Sequence, residues 1–416
     1  MIVVTGATGF VGTQLLARLP LQTGILVVSR NAEEARLRFP EYDVCDYSTL
    51  RDRDLAGATF LHLAVRNNDL PGSLEDFRSA NVDGLRNLVL TARDGGAVCF
   101  INLCTTHALD PKPDDFYGRT KREGACEAAM LWPEGAINLY IPAVYGDRFQ
   151  GRLAFLARLP PTLRPVVIGG LRQIRPMISI DHLLTVIEKL RERDDVDDSW
   201  RTERYAADPV PSPGFFVAAK RALDLVAAVA AVVLAGWLLV LIALWVRLDS
   251  RGPAIFAQQR VGRDTRLFTC FKFRTMAVGT VHAATHEVSA AAVTRAGAFL
   301  RRTKLDELPQ IANVLMNQMS LVGPRPCLPV QDELVTSRNR RGVLTIKPGI
   351  TGLAQIRNVD MSDPARLAAY DERYMAFRTT LGDLMIVLRS VMGGGAGDRV
   401  AASPEALPVR LDSPDA

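Results

Sequence analysis

Thr5-Gly-Ala-Thr-Gly-Phe-Val-Gly12 follows directly on the apolar run Ile2-Val-Val4 and opens a helical pattern. Gly6, Gly9 and Gly12 remove Cβ atoms where a backbone must approach a pyrophosphate at the positive end of a helix. With Phe10, they are the candidate cofactor contacts. Working outward, Ile25–Ser29, Thr59–Ala64 and Val98–Leu103 are further apolar runs, with helical stretches such as Asn81–Arg93 between them. Runs without polar alternation belong to strands covered on both faces. The rhythm predicts an α/β fold with a doubly wound parallel sheet.

The second strand ends in Val28-Ser29-Arg30. An acidic residue here would hold a ribose 2′-hydroxyl. Arg30 pairs instead with a 2′-phosphate, which favours NADP over NAD, the alternative being a merely solvated arginine. Tyr117-Gly-Arg-Thr-Lys121 places a phenol and an ammonium four residues apart on one helix face. The ammonium lowers the phenol's pKa and suits it to proton transfer near neutral pH. Thr105 or Thr106 offers a hydroxyl for the substrate oxygen.

With 416 residues, two domains are the natural expectation. Hydrophobic residues make up 48% and mean hydropathy is +0.09, high for a purely soluble chain. Six scattered cysteines without a CxxC argue for a reducing compartment and against a disulfide framework or zinc site. Met1 leads straight into a strand, so no secretory signal is expected and the N-terminus is read as cytosolic. Residues 1–213 hold 25 Lys/Arg against 28 Asp/Glu; residues 214–416 hold 25 against 17. The basic excess is densest in Arg247–Lys304, which suits anionic lipid or pyrophosphate, the alternative being a solvated basic face. No nucleic-acid module is recognisable, so nucleic acid is excluded as a partner.

Leu225–Val246 carries no charge over 22 residues, about 33 Å as a helix and enough to cross a bilayer. The Pro-rich Asp208–Gly214 stretch marks a linker, and Gly393-Gly-Gly395 opens a tail expected to be disordered. The organisation read is 1–207 nucleotide-binding domain, 208–219 linker, 220–251 membrane helix, 252–392 catalytic domain and 393–416 tail. In Thr303–Pro326 an adjacent Asp306-Glu307 pair lies beside Pro309, below a basic cluster and ahead of Pro324-Arg-Pro326. Carboxylates near cations and near lipid point to phosphate chemistry at a membrane surface.

Residues 1–205 resemble the extended short-chain dehydrogenase/reductase family of nucleotide-sugar epimerases, dehydratases and reductases. The resemblance rests on the Thr5–Gly12 loop, Asp43-Val-Cys-Asp46, His62-Leu-Ala64, Asn81-Val-Asp-Gly84, Tyr117–Lys121, Ile141–Gly146 and Arg175–Asp181. It implies a Rossmann-like sheet, Asp46 at the adenine, Lys121 touching the cofactor as well as Tyr117, and Arg175 on the sugar diphosphate. Thr105/Thr106 stand where the family has serine, and the sugar-binding part is trimmed.

Residues 220–391 resemble the monotopic polyprenyl-phosphate phosphoglycosyl transferases. The motifs are Lys220–Asp224, Gly252–Phe256, Gln259–Gly262, Phe271–Met276, Leu305–Gln310, Met319–Pro326 and Lys347–Gly352. The resemblance implies that Asp306 attacks a UDP-sugar and expels UMP, and that undecaprenyl phosphate takes the phosphosugar. Asp306 and Glu307 are the expected Mg²⁺ ligands, Glu307 alternatively a base. Lys272, Arg274, Arg301, Arg302 and Arg325 are the expected phosphate clamps.

One simple crossing would put the two domains on opposite sides of the bilayer, although both need cytosolic substrates. A re-entrant helix resolves this, with Gly236-Trp237 at the bend where the family has Ser-Pro. The sequence thus leads to a bifunctional, monotopic enzyme on the cytoplasmic face of a bacterial inner membrane, in contact with membrane lipid. Its N-terminal domain is read as a 4-ketoreductase, with a 4-epimerase or a non-catalytic docking module as alternatives. A homo-oligomer is left open.

Overall fold

The structure is a computed structural model, and it describes residues 1–19, 24–68, 71–192, 203–209, 213–278 and 293–393. The acidic run 194–198, the linker's centre and the tail beyond 393 lie outside the described residues. The chain divides into two units. Met1–Pro213 with Ala376–Leu381 form one; Gly214–Met375 with the chain from Gly382 form the other.

The first unit is built on seven parallel strands. In chain order they begin β1 (Ile2–Thr5), β2 (Ile25–Val28), β3 (Asp43–Cys45), β4 (Thr59–His62), β5 (Cys99–Thr105) and β6 (Ala136–Ile141). A parallel pair, β7 (Ala143–Tyr145) and β8 (Met177–Ser179), stands apart, and β9 (Glu203–Tyr205) closes the edge. The sheet order is β3-β2-β1-β4-β5-β6-β9. The order reverses between β1 and β4, the switch point where such sheets open a crevice for ligands. All four residues of β1, β2 and β4 are buried. Ile2 and Val4 join one core cluster and Val3 the other, so helices cover both faces. This is the Rossmann-like, doubly wound fold that the sequence predicts.

The second unit begins with one helix, Pro213–Asp249, 37 residues long. It starts inside the stretch expected to be a linker, because the apolar pattern extends back through Phe215 and Phe216. It runs uninterrupted through Gly236. Behind it come an antiparallel hairpin, β10 (Ile255–Val261) with β11 (Leu267–Phe273), and a short parallel pair, β12 (Ser320–Val322) with β13 (Gly349–Thr351). Helices Arg295–Thr303, Asp332–Arg340, Pro364–Phe377 and Thr380–Val391 complete the mixed α/β unit.

Both ends of the long helix are tied to this one folded body. At its start, Arg221 donates to the Val314 and Leu315 carbonyls, and Asp224 accepts from the Ser320 hydroxyl and the Leu321 amide. At its end, Asp249 accepts from the Ala296 amide. Between these anchors Ala228 packs with Phe268, while Ile242 and Val246 pack with Phe273. The two phenylalanines are five residues apart on β11, about 17 Å, and the helix positions they meet are about 21 Å apart. The helix therefore runs along the body. Its outward face, including Val233, Leu234, Trp237 and Val240, remains exposed and apolar.

Candidate active sites

Asp306 is placed by a helix that is made to stop. Helix Arg295–Thr303 starts at Thr294, whose side chain accepts from the Gly297 amide. Gly297 is pressed onto the chain two residues past β11: a Cβ there would lie 2.0 Å from the Thr275 carbonyl oxygen. Lys304 then turns left-handed (φ 58°), and a 3-10 turn, Leu305–Gln310, follows with Pro309 inside. Buried Asn313 fastens this turn to β11, accepting from the Phe271 amide and donating to the Thr269 carbonyl.

The result is a carboxylate that is 9% exposed and receives no hydrogen bond from any described residue. Burial pushes the Asp306 carboxyl up to about 6, with the Lys272, Arg325 and Arg301 cations pulling against it and Glu307 adding to it. Glu307 is held differently. Its Oε1 accepts from Lys272 Nζ at 3.1 Å and from Arg325 Nη2 at 2.8 Å. Asp306, Glu307, Lys272, Arg325 and Arg301 thus form one electrostatic cluster.

The other two expected clamps stand elsewhere. Arg274 is buried and donates to the Val246 and Ser250 carbonyls, capping the long helix's C-terminal end. Arg302 is exposed and lies over the Phe299 ring. Among the described residues no group of three or more His, Cys, Asp or Glu could hold a metal. Mg²⁺ fits Asp306 and Glu307 only with substrate phosphate oxygens completing its shell, its usual arrangement.

In the first unit the glycine loop has the geometry of an anion cradle. Gly6 has φ +73°, and a Cβ on it would lie 2.4 Å from the Ala64 nitrogen. A Cβ on Gly12 would lie 2.4 Å from the Gly6 carbonyl oxygen. Gly9 caps helix Phe10–Leu16 without a side chain, leaving its first amides to a ligand. Arg30 is exposed just beyond β2. Asp46 Oδ1 accepts from the Ser48 and Thr49 amides and hydroxyls, which hold the carboxyl down at about 2. This carboxylate therefore shapes its own turn first.

Tyr117 lies in the first turn of helix Phe116–Leu131, whose cap Asp115 accepts from the Gly118 amide. Lys121, one turn on, is 4% exposed and donates to Asn102 Oδ1 at 3.3 Å. Asn102 is oriented in turn, its amide donating to Asn138 at 2.8 Å. Burial lowers the Lys121 pKa. The Thr105 hydroxyl accepts from the His107 amide and starts a 3-10 turn at Thr106. The Thr105 O–H remains free to donate, so both hydroxyls stay candidates for the substrate oxygen.

His107 was not expected at the site. Its ring lies 6.5 Å from that of Tyr117, and Nδ1 lies 3.5 Å from Asp115. Arg175 is exposed at the end of helix Arg164–Ile174. The arginine engaged nearby is Arg172, which donates to the Tyr145 hydroxyl and to the Pro209 carbonyl.

Residues 215–394 match the bacterial sugar transferase family, and residues 2–199 match the NAD dependent epimerase/dehydratase family. The exopolysaccharide production protein PSS of Rhizobium leguminosarum bv. phaseoli is 35% identical over 194 residues, 42% of this chain and 93% of that protein. A UDP-glucose:undecaprenyl-phosphate glucose-1-phosphate transferase of Caulobacter vibrioides is 40% identical, over 41% of this chain and 68% of its own length. Other curated relatives are longer. The chain spans 45% of a Klebsiella pneumoniae enzyme of the same description, at 35% identity. The structure of the Bordetella bronchiseptica enzyme WbmG with NAD and UDP is 18% identical, with a TM-score of 0.39 over 50% of this chain and 72% of that one. The chain belongs to the bacterial sugar transferase family, and it carries an NAD dependent epimerase/dehydratase family domain ahead of its transferase domain.

Proposed function

We propose that the second unit transfers a phosphosugar from a UDP-sugar to undecaprenyl phosphate, in two steps through Asp306. The observation that carries this reading is a desolvated carboxylate without a hydrogen-bond donor among the described residues, surrounded by Lys272, Arg301 and Arg325. Such a group has little to lose on becoming an ester.

An Asp306 oxygen attacks the β-phosphorus. The bond from that phosphorus to the bridging oxygen breaks, and UMP leaves with the electron pair. A phosphate oxygen of undecaprenyl phosphate then attacks the same phosphorus and releases Asp306, so one difficult displacement becomes two easier ones. Arg325 and Lys272 stabilise the charge on the equatorial oxygens. Mg²⁺, held by Glu307 and Asp306, would neutralise pyrophosphate charge.

The long helix supports a one-sided membrane placement. Its two ends are hydrogen-bonded to the same folded body, and a helix that crossed would carry one end about 30 Å away. The exposed apolar face suits lipid, with the domain on the cytoplasmic side of a bacterial inner membrane.

For the first unit the reading is NADP-dependent reduction of a 4-keto nucleotide sugar or its lipid-linked product. Gly6, Gly9, Phe10 and Gly12 hold the pyrophosphate, and Arg30 the 2′-phosphate. NADPH would supply the hydride. Tyr117 gives a proton to the carbonyl oxygen, with Lys121 holding the phenol and Thr105 or Thr106 the substrate. A 4-epimerase would use the same residues. Mass spectrometry of the lipid-linked product, with chromatographic identification of the sugar released from it, over a UDP-sugar panel with and without NADPH, separates the readings. A gain of two hydrogens identifies the reductase, isomerisation without net redox the epimerase, and an unchanged sugar the docking module.

A further inference from the structure

Arg338 is among the most deeply buried charges of the described residues, and the transfer chemistry does not use it. It stands on helix Asp332–Arg340, and its side chain is 2% exposed. Its Nε donates at 2.9 Å to Asp371 of helix Pro364–Phe377, itself 4% exposed. Arginine and aspartate are rarely buried this completely, and such a pair is weak evidence of stabilisation because desolvation offsets the attraction. Beside a hydrogen bond to Cys327, one further contact is informative. Arg338 Nη1 donates to the Arg325 carbonyl at 2.7 Å.

Arg325 sits between Pro324 and Pro326, which have no amide hydrogens, so this segment is fixed mainly through its carbonyls. All three are taken by different elements. The Gly349 amide donates to Pro324 at 2.8 Å, Arg338 to Arg325, and Arg260 Nη1 to Pro326 at 3.1 Å. At the other end of the same residue, Arg325 Nη2 meets Glu307.

Resting on the phosphosugar-transfer reading, we infer that Arg338, oriented by Asp371, is a positioning residue for that reaction. It holds the Arg325 main chain so that the Arg325 guanidinium reaches Glu307 and the transferred phosphoryl group. Small displacements of such a group cost rate steeply.

The test uses the full chain and removes both charges together, as Arg338→Met with Asp371→Leu, so that no unpaired charge remains in the core. Each of a panel of UDP-sugars, with undecaprenyl phosphate as the acceptor, is the probe and UMP release the readout. The double variant lowers kcat by about 10- to 100-fold and changes KM less than about threefold. In an Arg325→Ala background the same pair costs less than about threefold more, because the effect runs through Arg325. Hydrogen exchange at the Arg325 and Cys327 amides is faster in the double variant. Wild-type kcat in the folded variant, an undiminished loss in the Arg325→Ala background, or unchanged exchange would each overturn the assignment. If the wild type releases no UMP from any sugar, the transfer reading fails and exchange alone decides the positioning claim. Should the double variant not fold, Arg338→Lys keeps the charge but not the forked reach, and the same outcomes apply.

Discussion

The two sites treat their key side chains in opposite ways. Asp306 is buried beside cations with no described hydrogen-bond donor, whereas Lys121 is buried and anchored through Asn102 to Asn138. The first arrangement leaves the proposed nucleophile desolvated among cations. The second fixes the lysine side chain, with half-buried Tyr117 one turn earlier on the same helix. The difference suits a nucleophile that changes covalent state in one unit and an acid that only exchanges a proton in the other.

The largest effect expected from breaking this contrast is at Asp306. Asp306→Asn lowers UMP release by at least about 10³-fold, measured with any UDP-sugar the wild type accepts. Tyr117→Phe removes the NADPH-dependent mass change in the lipid product and leaves UMP release within about twofold. An unchanged product sugar would sink the catalytic reading of the first unit. Next comes Gly12→Val. A Cβ at Gly12 lies 2.4 Å from the Gly6 carbonyl oxygen, so the loop must open, and NADPH binding by titration weakens by about 100-fold. Arg30→Ala is milder, weakening NADPH by about tenfold while NADH is little affected.

The smallest effect is on stability and has the opposite sign from the activity loss. Asp306 titrates near 6 in the folded protein against an ordinary 3.8. Its charged form is therefore penalised by folding, and stability falls as pH rises from about 4 through about 6. Asp306→Asn raises stability at pH 7.5 by up to about 3 kcal/mol, and the gain disappears below pH 4. Thermal denaturation at both pH values checks it.

Much of this was legible in the sequence because it was local. The Gly6–Gly12 loop follows a strand, and Tyr117 and Lys121 are one turn apart. The apolar runs needed no partner to be read as buried strands. What was not legible depends on distant partners. Arg274 sits in a basic motif, yet it caps the end of the long helix, 24 residues away at Ser250. Thr105 and Thr106 look equivalent in the sequence, although only Thr105 accepts from the His107 amide and caps the turn that follows. Arg172 meets Tyr145, a contact that no motif announces, while Arg175 stands exposed where the helix ends. Arg338 and Asp371 are 33 residues apart and carry no motif at all. Gly236 suggests a bend, but the helix is continuous there, and both its ends are bound to the same folded body through Arg221, Asp224 and Asp249.

The most direct test of the account is UMP release without the lipid acceptor. Purified full-length protein is mixed with a UDP-sugar and Mg²⁺, and undecaprenyl phosphate is withheld. The account predicts a burst of UMP equal to the amount of enzyme, with a phosphosugar on the peptide bearing Asp306 and none in Asp306→Asn. UMP that appears only when undecaprenyl phosphate is added, with no adduct on the protein, would contradict it.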